Sequence, residues 1–395
     1  MKRKNNLIFI AFLVCILGIC FPGMATSEEA TFKIGNVVPF TGYFGTYGKD
    51  FKHALELAVE HRGGKLLGKP IELIFEDSAS NPKVAVQKTM KVIAAGSQFV
   101  VGAFSSSSTL AMMPILKRRK IPHLSMLSTH DDITGKHKTR YTFRTSTSQG
   151  VENKIVIEYL KSSDAKNMYI VNADYKLFHD IVSDVKNGLK GSGITIVDTS
   201  SAALGTKDFS VIIEKISQSN ADTIFAELLG NDLIAFMKQA GQKGLFKNRK
   251  VVTTLLTKDL CEATLPYSVN VAMTARYNYA LKTPLNEKLI KSHWKLYNEE
   301  PQAPDFYDGL TWFMNVIEAT GSWDKEKWIE AFEDSSHYGV KGKMVMNASN
   351  HQATQDGFFG TYTMQTKGSK DPWGYPTTSC YWGLSKVYKG KALYQ

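Results

Sequence analysis

The stretch Val100-Val101-Gly102-Ala103-Phe104-Ser105-Ser106-Ser107-Ser108-Thr109 decides how the rest of this chain is read. A short apolar run closed by glycine, then four serines and a threonine, describes a buried strand whose carboxyl end opens onto a helix N-terminus. Hydroxyls and free backbone N–H groups at such a point can receive an acceptor, an anion above all. The competing reading is that one serine caps the helix and the others only solvate a loop.

Upstream, residues 31–38 form a strand with β-branched enrichment, broken by Pro39-Phe40-Thr41-Gly42. A helix over 46–60 follows, with Phe51, Ala54, Leu55, Ala58 and Val59 on one face. A strand over 71–75 and a helix over 83–95 then lead into the quoted stretch. Downstream, a strand over 121–125 gives way to Met126-Leu127-Ser128-Thr129-His130, again a strand whose carboxyl end delivers hydroxyls. In open α/β sheets ligands gather outside such ends, so Ser106 and Thr129 are expected to converge on one crevice. After an exit strand over 141–144, a second alternating series runs from the helix over 150–161 to a strand over 270–274. The chain is then mostly helical to residue 332, with extended segments over 343–346, 357–364 and 380–388. Strand and helix alternate throughout the two series, which predicts an α/β fold with parallel central sheets covered by helices.

Composition bounds the function. Lys2-Arg3-Lys4, an apolar run from Leu7 to Phe21, and Pro22-Gly23-Met24-Ala25 read as a secretory signal cut near Ala25. Lipid anchoring would need a small residue before Cys20, where Ile19 stands. Removing the signal takes three basic residues and no acidic ones, so the net charge of +11 falls to +8. The basic residues are scattered, and the two dense clusters, Lys117 to Lys120 and Lys247 to Lys250, follow predicted helices, where cations suit the C-terminal dipole. Nucleic acid is not an expected partner. Cys261 and Cys380 remain in an oxidising compartment, and their pairing is open at this level. No Cys-x-x-Cys, His-Glu-x-x-His or calcium-loop spacing occurs, so neither metal nor cofactor is expected. The tail aromatics Trp373, Tyr375, Tyr381 and Trp382 are read as packing.

These landmarks carry a resemblance. Ile34-Gly35 through Pro39, Thr41-Gly42, Tyr47-Gly48-Lys49, Glu76-Asp77 to Asn81-Pro82, Gly102 to Ser107, Phe143-Arg144-Thr145, Asn172 to Tyr175, Lys207-Asp208-Phe209 and His351-Gln352 occur in an order that resembles the branched-chain amino-acid receptors of ABC transporters. The resemblance implies the type I periplasmic binding protein fold: two Rossmann-like lobes joined by three crossover segments near 145, 275 and 350. The lobes would be 26–145 plus 276–350 and 146–275 plus 351–395, after a signal over 1–25. It also implies a monomer in the periplasm that closes over a small solute and presents it to an inner-membrane permease. Family ligands lie against positions that fall here on Ser106 and Thr129, with Ser128 adjacent, beside an aromatic wall from Tyr43 and Tyr47.

The second lobe departs from the amino-acid pattern. Asp174-Tyr175-Lys176-Leu177-Phe178 replaces Asp-Tyr-x-Tyr-Gly, and Leu228-Leu229 stands where an aromatic is usual. Between Lys250 and Lys258, where amino-acid receptors place an acid, there is no carboxylate, and Leu255-Leu256 occupies the position. A buried ammonium without a partner costs several kcal/mol. Glu227 could replace the missing acid only in a shifted register. The expected ligand is therefore a largely apolar carboxylate or aromatic solute, held by a polar floor of Ser106, Ser128 and Thr129 under a roof of Tyr175, Leu177, Leu229 and Leu255. A branched-chain amino acid or amide, or a sensory role beside a membrane partner, stays open as the alternative. Catalysis is not expected, because Gly-x-Ser-x-Gly is absent at Gly102 to Ser106 and no His/Asp pair is tied to these serines.

Overall fold

The computed structural model describes residues 31–254 and 256–394. Residues 1–30, which include the segment read as a signal, and Leu255 lie outside the described residues. In chain order the first series is β1 (Phe32–Val38), α1 (Gly48–His61), β2 (Lys65–Leu66), β3 (Lys69–Asp77), α2 (Pro82–Ala94), β4 (Phe99–Gly102), α3 (Ser106–Arg119), β5 (His123–Ser125) and β6 (Thr142–Arg144). The second is α4 (Gln149–Ser162), β7 (Asn167–Ala173), α5 (Lys176–Gly188), β8 (Thr195–Ala202), α6 (Ser210–Gln218), β9 (Thr223–Glu227), α7 (Gly230–Gln242), β10 (Lys250–Thr253), α8 (Lys258–Thr264) and β11 (Ala272–Ala275). There follow α9 (Pro284–Tyr297), α10 (Pro304–Thr320), α11 (Lys325–Phe332), β12 (Ser336–Gly339), β13 (Gly342–Asn347), β14 (Gln352–Thr354), β15 (Gly357–Met364), β16 (Cys380–Tyr388) and α12 (Gly390–Leu393).

Two sheets result. The first runs β12-β13-β14-β6-β5-β4-β1-β3-β2 and is parallel from β14 to β3. The second runs β16-β15-β11-β10-β9-β7-β8 and is parallel from β11 to β8. Period-two alternation sorts the first sheet's side chains onto two cores. Phe32, Ile34, Val38, Phe99 and Val101 pack with the apolar faces of α1 and α10, whereas Val37 and Val100 pack with residues of α2 and α3 on the other side. Helix starts follow local chemistry: the Asn81 side chain accepts from the N–H groups of Lys83 and Val84, with Pro82 in the first turn.

Three features depart from the sequence reading. The parallel second sheet does not end at the strand after residue 270, because β15 and β16 add to it in antiparallel fashion. β13 is the middle of an antiparallel trio at the edge of the first sheet, not a lone extended segment. A short helix, α8, follows β10, and its Cys261 is disulfide-bonded to Cys380 at the start of β16, with 6.3 Å between the Cα atoms. Closing a loop of that length stabilises a fold by up to about 4–5 kcal/mol on a chain-entropy account. The tail aromatics do pack: Tyr375 stacks on Trp294 at 4.8 Å, and the Trp373 indole N–H donates to the Tyr279 carbonyl at 2.8 Å. The basic cluster 117–119 fills the last turn of α3, and Arg249 donates to carbonyls at the end of α6.

Candidate functional site

Strand order places the site. In the first sheet the chain goes from β1 to β3 on one side and then to β4 on the other, and in the second from β7 to β8 and then to β9. Such reversals leave a crevice at the strands' carboxyl ends, uncovered by crossover helices. The loops after β1, β4, β7 and β9 all meet one cavity of about 310 Å³. That size suits a small organic molecule.

The first wall is the quoted stretch. At Gly102 the backbone has φ +134°, and a Cβ there would sit 2.1 Å from the Val37 carbonyl oxygen, so only glycine lets β4 end against β1. Thr109 then holds the turn, its hydroxyl donating to the Ala103 carbonyl at 2.9 Å and accepting from the Ala103 N–H at 3.0 Å. Ser105, Ser106 and Ser107 line the cavity at the N-terminus of α3, with Thr129 and Gln149 beside them. The Ser106 hydroxyl accepts from the His130 N–H at 3.3 Å, leaving its own proton to donate. Ser105 occupies the cap position but makes no capping bond, and its hydroxyl meets Ser107 at 3.0 Å. Phe44 and Phe104, edge to face at 4.9 Å, supply the aromatic part of this wall with Tyr43.

The second wall comes from Tyr175, Leu177 and Phe178 after β7 and from Leu228 and Leu229 after β9, with Leu204 after β8. Its deep end is polar. Glu227, 2% exposed, receives the Thr254 N–H and hydroxyl, each at 2.7 Å. Burial pushes its carboxyl up to about 8, against the lowering effect of those bonds, so it is mostly protonated at neutral pH. Arg276, after β11, also faces the cavity, and its Nε and Nη2 bind the buried Glu152 carboxylate. The walls touch across the cleft where the Tyr43 hydroxyl donates to the Leu229 carbonyl at 3.2 Å and the Tyr175 hydroxyl to Ser107 at 3.5 Å. His130 Nε2 donates to Asp180 at 3.0 Å, and Lys258 pairs with Glu300.

Of the expected site residues, Tyr43, Ser106, Thr129, Tyr175, Leu177 and Leu229 line this cavity. Ser128 does not. Fully buried, it spends its hydroxyl on the Ala103 and Phe104 carbonyls and on Thr109, bracing the loop after β4 against the loop after β5. Tyr47 stacks toward Phe51 and borders a neighbouring cavity of about 180 Å³, which shares Phe44, Phe104, Leu229 and Arg276 with the first. Leu255 lies outside the described residues. Glu227, weighed from the sequence only in a shifted register, lines the cavity, and Thr253, Thr254 and Arg276 were not expected there, although all four lie at the ends of β9, β10 and β11 just as the serines follow β4, so the strand-end rule could have found them. Phe44 and Phe104 also went unassigned, because an aromatic in a loop carries no periodic signal.

A family model described as periplasmic binding protein matches residues 31–370. "Leu/Ile/Val-binding protein homolog 6" of Brucella melitensis is 25% identical over 339 residues, which is 82% of this chain and 85% of the relative. Among solved structures, an ABC transporter solute-binding protein of Rhodopseudomonas palustris in complex with 3,4-dihydroxybenzoic acid superposes with a TM-score of 0.82 at 21% identity, covering 91% of this chain and 98% of that one. A leucine-binding protein of Thermotoga maritima gives 0.78 at 19%, covering 92% and 100%. With sheets, reversal points and cleft in agreement with a match spanning most of its length, the chain belongs to the periplasmic binding protein family.

Proposed function

We propose that the protein is the solute-capturing component of an ABC importer, and that it takes a small, largely apolar carboxylate, an aromatic acid above all. The carrying observation is the cavity's composition. Phe44, Phe104, Tyr175, Leu177, Phe178 and Leu229 enclose it, while Ser106, Thr129 and the N-terminus of α3 form one polar corner. A ring buried among such groups contributes roughly 1.5–3 kcal/mol, and the hydroxyls and helix end orient its carboxylate. The Rhodopseudomonas relative binds a ligand of this class.

In this reading the signal is removed near Ala25, and the exported chain works as a monomer. Lobes 26–145 plus 276–350 and 146–275 plus 351–395 close over the solute about the crossovers near 145, 275 and 350. Closure is favoured because the solute touches both lobes and binds the closed state better. The solute is handed unchanged to a membrane permease.

Glu227 supports a second reading. Glu227 lines the cavity, and an α-ammonium placed beside its carboxyl would draw it into the ionised form, as suits the Leu/Ile/Val-binding relatives. A thermal-shift screen after unfolding and refolding, to strip carried-over ligand, separates the two. Stabilisation by benzoate and hydroxybenzoates with none by leucine or valine is expected. The reverse pattern replaces the first reading with the second.

A further inference from the structure

Outside the lining of both cavities, α1 and the end of α9 bring together two histidines and a carboxylate that the solute site does not use. We propose that His53, His293 and Glu299 form a binding site for a divalent transition-metal cation of the zinc class. One ring nitrogen from each histidine and one Glu299 oxygen lie within 4.8 Å of one another. Two imidazoles and a carboxylate are a donor set that zinc accepts, with a fourth position left to water.

The surroundings prepare both rings. His293 is 3% exposed, and its Nδ1–H donates to the Glu299 backbone carbonyl at 2.8 Å, which fixes the tautomer and leaves Nε2 with its lone pair. His53 lies flat on Tyr297, with ring centroids 3.6 Å apart and planes 5° from parallel, so its ring direction is set by packing. Its Nδ1 is buried and has no hydrogen-bond partner among the described residues. The nitrogen stands 4.0 Å from Glu299 Oε1. A buried polar atom without a partner costs free energy in a purely structural arrangement, and a metal ion removes that cost.

Lys49 is the competing cation. Its ammonium lies 2.9 Å from Glu299 Oε1 in an exposed pair, the kind of pair that contributes little. Loading the site moves Lys49 aside and draws the three donors to the separation of about 3.4 Å that tetrahedral bonds of 2.0–2.1 Å require.

The test uses untagged protein treated with EDTA and then titrated with Zn²⁺ by equilibrium dialysis, and with Co²⁺ followed by visible absorption. One saturable zinc per chain and the intense absorption of four-coordinate cobalt are expected. His53→Gln and His293→Gln should weaken zinc binding by at least roughly 10–100-fold, the loss seen when groups that merely support a metal site are removed. Lys49→Ala should tighten it several-fold, a gain that damage to the fold cannot imitate. Absence of saturable binding at one per chain overturns the proposal, as does unchanged affinity in His53→Gln or in Lys49→Ala.

Discussion

At the end of β4 the cleft meets three serine hydroxyls and the N-terminus of α3; at the end of β9 it meets Glu227, Leu228 and Leu229. The strand ends are equivalent in topology, each beside the reversal point of its own parallel sheet. What differs is the chemistry. The first wall offers uncharged donors held by a dense local network through Thr109 and Ser128. The second offers apolar surface over titratable groups, Glu227 with its raised carboxyl and Arg276 tied to Glu152. In the proposed function, a solute would be oriented by groups that do not titrate and covered by a wall whose charge varies with pH.

The largest effect that would break this contrast is on stability. Arg276→Met leaves Glu152, 2% exposed, without its cation, and removing one partner of such a pair typically costs about 3–5 kcal/mol. Urea unfolding should show that loss; a midpoint near wild type would mean the second wall does not depend on its ion pair.

Next comes Ser106→Ala. A hydrogen bond to a charged group contributes about 1.5–3 kcal/mol, so calorimetry should find an aromatic acid bound roughly 10–100-fold more weakly, with stability lowered by about 1 kcal/mol as the His130 N–H loses its long bond. Equal affinity would remove Ser106 from the solute contacts. Ser128→Ala sharpens the same contrast from the other side. Loss of its buried bracing bonds should lower stability by about 1–2 kcal/mol, measured by thermal unfolding, whereas wild-type stability would remove its bracing role.

The smallest effect on affinity is that of pH. Because Glu227 is raised from 4.5 to about 8 in the folded state, its contribution to stability is fully present below about pH 4.5 and is lost as pH rises through about 8. Glu227→Gln should therefore become more stable relative to wild type over that window. Wild-type affinity for a carboxylate should fall several-fold between pH 7 and 9 as the wall gains negative charge, while the glutamine variant stays flat. Parallel pH profiles for the two proteins would contradict the assignment.

Much of the first wall was legible because it is local. Glycine followed by hydroxyl residues, after a short apolar run, carries its meaning within ten positions, and Ser106 and Thr129 do reach the cavity. Ser128 was indistinguishable from Thr129 by type and position, and only the direction of its hydroxyl, toward Ala103 and Thr109, separates them. The second wall was half legible. Leu177 and Leu229 were readable as apolar replacements at strand ends, but Glu227 depended on register and Arg276 on a strand one of whose neighbours, β15, comes from the distant tail.

By itself the sequence determined the alternation of strands and helices, the hydroxyl-bearing turns after β4 and β5, and the apolar character of the opposite wall, since each is written in neighbouring residues and their periodicity. Tertiary structure alone decided that Cys261 meets Cys380 across 119 positions, that β15 and β16 run antiparallel beside β11, and that Glu227 and Arg276 close the deep end of the cavity. It also brought His53 against His293 and Glu299. The reason is physical: these contacts join segments far apart in the chain, and packing in three dimensions, not local preference, sets which of them come together.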